Sequence, residues 1–113
     1  MRYMSIYKTV ERGTPPTQEE MAGMGALIEE YMKKGSLIET GGLLPSKTGF
    51  RVRRSNGKIT VTDGPFTETK EVVGGYAIME AKSNEEMLKL TKHFLEVAGE
   101  GECEVRPMHE MGG

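Results

Sequence analysis

Asp63 is the side chain in this sequence best placed to do chemistry, a carboxylate that follows a strand and precedes Gly64-Pro65. From there it can project into a cavity between two subunits as a general base or as a hydrogen-bond acceptor. The same position suits an Asx-turn, in which the carboxylate accepts the next N–H groups and fixes the loop; so held, it would have a lowered pKa and make a poor base. Lys70 and Glu71 lie between that turn and Gly74-Gly75. They are in reach of a ligand carboxylate or a partner subunit, or else form a solvated charge cluster worth little. Tyr7 and Tyr76, with Tyr3, offer phenolic donors to a carboxylate or carbonyl, and Tyr equally suits a dimer interface. Arg51 and Arg53 sit two apart on one strand face, fit for an anion or for a solvated outer surface. The candidate site is therefore Asp63 as the catalytic group, with Tyr7, Arg53, Lys70, Glu71 and Tyr76 as ligand-binding residues.

Several chemistries are excluded at this level. His93, His109 and Cys103 share no metal-ligand spacing, so no metal is expected. His93 stands among Lys89, Lys92 and Glu96 and reads as a surface helix residue. Gly41-Gly42 and Gly74-Gly75 spell no phosphate cradle, and no cofactor is expected. With 15 basic and 17 acidic residues, net charge −2, and a pI near 5.7, the chain lacks the electrostatic footprint of a nucleic-acid binder. Gly49-Phe50-Arg51-Val52 is only a faint match to an RNA-recognition strand. A single cysteine allows no internal disulfide and fits a reducing compartment. No apolar run approaches the ~20 residues of a membrane span, and Met1 to Val10 carries Arg2 and Lys8 inside its pattern instead of leading a signal segment. A cytoplasmic protein without membrane contact is expected.

The elements that position these residues follow from periodicity and punctuation. Arg2 to Val10 alternates as a strand, Met4 and Ile6 opposing Tyr3 and Tyr7. Thr17 with Glu20 forms a capping box opening a helix to Lys34, with Met21, Met24, Leu27, Ile28, Tyr31 and Met32 on one stripe. Leu37 to Leu44 is an irregular strand, where Gly41-Gly42 marks a bulge or a close approach to the backbone. Phe50–Arg54 and Lys58–Thr62 flank Asn56-Gly57, the strongest short-range hairpin signal, with one apolar and one polar face. A loop runs from Asp63 to about Val73. Gly75 to Ala81 is a strand, Ser83 with Glu86 opens a second helix to about Ala98, and Glu102 to Met108 closes a single domain of residues 1–108. Residues 109–113 form a flexible tail.

Strand, helix, hairpin region, strand, helix, strand is the order of an α+β fold with a ferredoxin-like split βαβ sheet and both helices on one face. The tyrosine-bearing strands then leave the open sheet face too apolar for water. A second copy is expected to cover it, giving a homodimeric α+β barrel that encloses a cavity for a small-molecule ligand.

Asp63-Gly64-Pro65-Phe66, followed by Thr67-Glu68-Thr69-Lys70-Glu71 and Gly74-Gly75-Tyr76, resembles the signature of the DGPF subgroup of the YCII-related protein family. The opening Met1-Arg2-Tyr3-Met4, the Thr60-Val61-Thr62 entry and the closing Glu104-Val105-Arg106-Pro107 extend the resemblance over nearly the whole chain. It implies a dimeric α+β barrel in a bacterial family of mostly unknown biochemistry, some relatives of which accompany sigma factors of the extracytoplasmic-function type. The wider family's candidate active site is a His in the first helix and an Asp in the second helix region. A few of its members act on cyclic lactone or chlorinated rings. Here Thr17 to Lys34 contains no His and Ser83 to Gly101 no Asp, so that acid/base pair does not carry over. What the resemblance implies is a small organic ligand near the Asp63 loop with isomerase- or lyase-like proton transfer, or a structural or regulatory dimer without chemistry.

Overall fold

The structure, a computed structural model, describes residues 1–110. The order is β1 (Arg2–Thr9), α1 (Gln18–Lys33), β2 (Leu37–Gly42), a 3-10 turn (Ser46–Thr48), β3 (Phe50–Ser55), β4 (Lys58–Asp63), β5 (Val72–Glu80), α2 (Asn84–Ala98) and β6 (Glu102–Pro107). Four strands form an antiparallel sheet in the order β2-β5-β1-β6. Each helix thus links two strands that have a third between them, the split βαβ arrangement.

Local chemistry explains the helix boundaries. The Thr17 hydroxyl accepts the Glu20 N–H, and the Glu20 carboxylate accepts the Thr17 N–H, so the reciprocal cap is complete. At α2 the Ser83 hydroxyl accepts the Glu86 N–H, while the Glu86 carboxylate accepts from the Lys82 N–H at 3.4 Å. The second box is therefore half formed. α2 ends where Gly99 takes φ +96, a conformation costly for any residue with a β-carbon.

Tyr3 and Met79 are register partners on the face that meets both helices. They pack with Leu27 and Tyr31 of α1, Leu37 of β2 and Met87 of α2. The Tyr3 hydroxyl donates to Asn84 at 2.8 Å and the Tyr31 hydroxyl to the Leu90 carbonyl at 2.8 Å. Tyr3 and Tyr7 therefore face the helices, which corrects their expected place on the open side. The open face carries Met4, Ile6, Tyr76 and Ile78, bordered by Arg2, Glu39, Glu80, Glu102, Glu104 and Arg106.

The hairpin stands apart from the four-stranded sheet. β3 and β4 pair only with each other, in a separate two-stranded sheet. Asn56 (φ 52) and Gly57 (φ 78) form the left-handed turn that Asn-Gly favours. Because the hairpin stands off the main sheet, Phe50, Val52, Ile59 and Val61 are 59–67% exposed. β5 begins at Val72, earlier than expected, because Val72 and Val73 extend its pairing with β1 to Thr9 and Lys8. The expected tail lies partly outside the described residues, at 111–113.

Candidate functional site

The Asp63 loop works first as a clasp. The Gly64 N–H donates to the Gly49 carbonyl at 3.0 Å, tying the end of β4 to the 3-10 turn. That turn is held in place by Glu11, whose carboxylate accepts both the Ser46 hydroxyl and the Ser46 N–H. These bonds, the hydroxyl first, keep the Glu11 carboxyl below its ordinary range. Phe66 turns back under the hairpin, where the Arg51 guanidinium lies 3.9 Å from its ring centroid and forms an ion pair with Glu68. Arg51 thus stacks and pairs within its own chain, as guanidinium groups do on aromatic faces.

Asp63 itself stands at the hairpin base opposite Phe50. It is exposed and enters none of the side-chain hydrogen bonds or ion pairs among the described residues. No Asx-turn bond to its carboxylate forms among the described residues. Arg53 is exposed on the hairpin's polar face, and Glu71 is exposed beside the start of β5. Lys70 borders a shallow cleft of about 180 Å³ with Glu11, Pro65 and Phe66.

The larger cavity lies elsewhere, between the helices and the sheet, with a volume of about 520 Å³. Its origin is legible residue by residue. Gly75 is the register partner of both Tyr7 and Gly42, and Gly74 precedes it, so the sheet offers backbone there instead of side chains. Large residues fill the space at the Tyr3 end of the sheet and glycines leave it empty at the Tyr7 end. The strands approach closely: a β-carbon on Gly75 would lie 2.9 Å from the Gly41 carbonyl oxygen. Met21 and Met24 of α1, Leu90 and Phe94 of α2, and Tyr7 form the walls. Tyr7 and Phe94 meet edge to face, ring centroids 5.4 Å apart at 84°, the geometry aromatic quadrupoles favour.

The polar groups of this cavity are mostly spoken for. Tyr7 donates to the Glu100 carbonyl (2.7 Å), Thr40 to the Tyr76 carbonyl (2.8 Å) and Thr91 to the Met87 carbonyl (2.8 Å). At the rim, Glu20 is gripped by Arg12 at 2.8 and 3.0 Å. Arg12 first, then the Thr17 cap, bring the Glu20 carboxyl down to about 2. A carboxylate so held neither gives nor takes a proton near neutrality. Ser5 shares a hydrogen bond with the half-buried Cys103 thiol, which burial pushes above its ordinary range.

Of the sequence-derived site residues, Tyr7 lines this cavity from the helix-facing side, Tyr76 borders it from a register position on the open face beside Ile6, Lys70 lines the separate cleft, and Asp63, Arg53 and Glu71 line neither. The sequence signal nearest to the cavity is Gly41-Gly42, which reads as a bulge or a close approach to the backbone; the pairing of Gly42 with Gly75 across β2 and β5 makes these glycines a floor. Among the described residues no three His, Cys, Asp or Glu side chains cluster as a cation would require, and no helix is long and apolar enough to cross a membrane.

Comparison with known proteins adds a lineage. The family model of the YCII-related domain matches residues 1–111. An uncharacterised protein of Rhizobium meliloti (strain 1021) is 32% identical over 89 residues, covering 78% of this chain and 72% of the relative.

Proposed function

Because the chain belongs to the YCII-related domain family, we propose that it binds a small apolar organic molecule between α1, α2 and the sheet, within a homodimer of the family's DGPF subgroup. The observation that carries this reading is the glycine-floored cavity. Its volume of about 520 Å³ falls within the ~300–1,000 Å³ typical of small-molecule sites, and its walls are apolar with few polar groups, as such sites are. Subgroup membership is supported by the Asp63-Gly64-Pro65-Phe66 stretch, in which Gly64 clasps the 3-10 turn and Phe66 carries Arg51. The homodimer is supported by the open sheet face. Met4, Ile6, Tyr76 and Ile78 form an apolar strip with a charged border, the pattern of an interface core and rim. Two such faces packed together make a dimeric α+β barrel.

Binding without turnover fits the groups present better than acid/base catalysis. The cavity's one carboxylate, Glu20, is locked by Arg12, and Asp63 stands outside it. The test is a thermal-shift screen of apolar organic acids, lactones and aromatic rings against wild type, Ala77→Leu and Asp63→Ala. Ala77 lines the cavity, so leucine there fills part of it. A ligand should raise the melting temperature of wild type and Asp63→Ala alike and lose its effect in Ala77→Leu. A ligand that loses its effect only in Asp63→Ala would move the site to the proline loop, and a panel without any stabilising compound would overturn the binding role.

A further inference from the structure

We propose that the β3–β4 hairpin is a dimerisation arm whose apolar face is covered by the body of a second copy of this chain. Phe50, Val52, Ile59 and Val61 share one face of the hairpin; Val52 and Val61 are direct cross-strand partners on it. All four are well over half exposed. The opposite face is already engaged, since Arg51 lies on Phe66 and pairs with Glu68. The hairpin therefore turns its apolar side outward by construction, anchored at its base by the Gly64–Gly49 hydrogen bond.

The surface area is of the size that a second copy covers. The chain exposes 8705 Å², where a compact monomer of its mass exposes about 6,200 Å². Its radius of gyration is 16.0 Å and its extents 44 × 42 × 18 Å, against about 13 Å for a compact domain of this length. The surplus, roughly 2,500 Å², is far more than a small ligand covers and matches the upper share that each partner of an obligate homodimer buries. A second copy supplies that area in equal measure.

Charge says which part of the copy. The hairpin of residues 50–63 carries Arg51, Arg53, Arg54 and Lys58 against Asp63 alone, so in a chain of net charge −2 the remaining residues are acidic on balance. On the apolar face the cation is Arg54, cross-strand from Ile59, with Asp63 at the base opposite Phe50. Laid on the partner's body, Arg54 and the basic residues that edge the hairpin meet acidic groups, among them Glu39 and Glu102 at the border of the open sheet face.

Homodimerisation, on which this inference rests, can fail separately from it. Sedimentation equilibrium over a micromolar concentration series would compare wild type with Val52→Lys/Val61→Lys, whose sites are exposed within one chain and leave its core untouched. The wild type should be a dimer. The double variant should keep its helical circular dichroism and dissociate roughly 100-fold more readily, the scale of losing a central interface cluster. A monomeric wild type overturns the dimer and the arm together. A variant that dimerises as tightly as wild type overturns the arm and leaves the dimer standing. Wild type that binds anionic lipid vesicles through the hairpin, with unchanged dimerisation of the variant, assigns the face to a membrane and overturns the arm. Amide exchange of wild-type residues 50–62 reads the same contact without substitution: protection that vanishes on dilution supports the arm, and protection absent at every concentration of a dimeric wild type overturns it.

Discussion

A β-carbon on Gly64 would stand 1.8 Å from the carbonyl oxygen of Ser46 and 2.7 Å from its carbonyl carbon. Main chain meets main chain there, and no rotamer change can relieve the overlap. Gly64→Ala should therefore destabilise the fold by about 3 kcal/mol, the upper range for forced overpacking, read by urea denaturation. Asp63→Ala, one residue away but exposed, should change stability by less than about 0.5 kcal/mol. A large loss in Asp63→Ala with little in Gly64→Ala would show that the carboxylate, not the glycine, holds the loop.

Tyr7→Phe keeps the edge-to-face contact with Phe94 and removes only the hydrogen bond to the Glu100 carbonyl. The expected cost is about 1 kcal/mol. Phe94→Ala removes the wall itself and should cost about 3 kcal/mol. Denaturant midpoints measured on both variants give the ratio.

Acid should weaken the start of α1. Glu20 has its carboxyl at about 2 in the folded chain against an ordinary 4.5, a lowered value. Its stabilising contribution is thus complete above the unfolded pKa and is lost as pH falls from about 4.5 towards 2. Glu20→Gln keeps a side chain able to complete the capping box and removes the charge that Arg12 grips. Between about pH 7 and pH 3 the wild type should lose more stability than this variant, as read from denaturant midpoints at each pH. A variant that loses just as much would place the acid sensitivity elsewhere.

Cys103 should react slowly. Burial raises its pKa, Glu102 adds to the rise and a Ser5 hydrogen bond opposes it, so little thiolate is present near neutrality and access is limited. Alkylation followed by mass spectrometry should be slower in the folded chain than after denaturation, and Ser5→Ala should slow it further.

Most of the fold was legible because it is written in local rules. The Thr17–Glu20 box, the Asn56-Gly57 turn and the alternation in β1 each name a structure from adjacent residues. What was not legible is what depends on pairing. The alternation of β1 separates Tyr3 from Met4 but does not say which of them meets the helices; that follows from register with Met79 and from Leu27 and Met87 packing above. Asn56-Gly57 announces a hairpin without saying whether it joins the sheet. Asp63 drew attention as a carboxylate, yet within its four-residue stretch Gly64 and Phe66 make the contacts that shape the loop. Strand position alone does not separate Tyr7, which meets the cavity, from Tyr76, which shares the open face with Ile6, and Met24 reads as ordinary core because a sequence does not reveal where the core is left unfilled.

The glycines at 42, 74 and 75 leave the floor of the cavity to peptide planes. A ligand bound as proposed above would meet no branched carbon from below, so shape more than polarity would govern its fit against that floor.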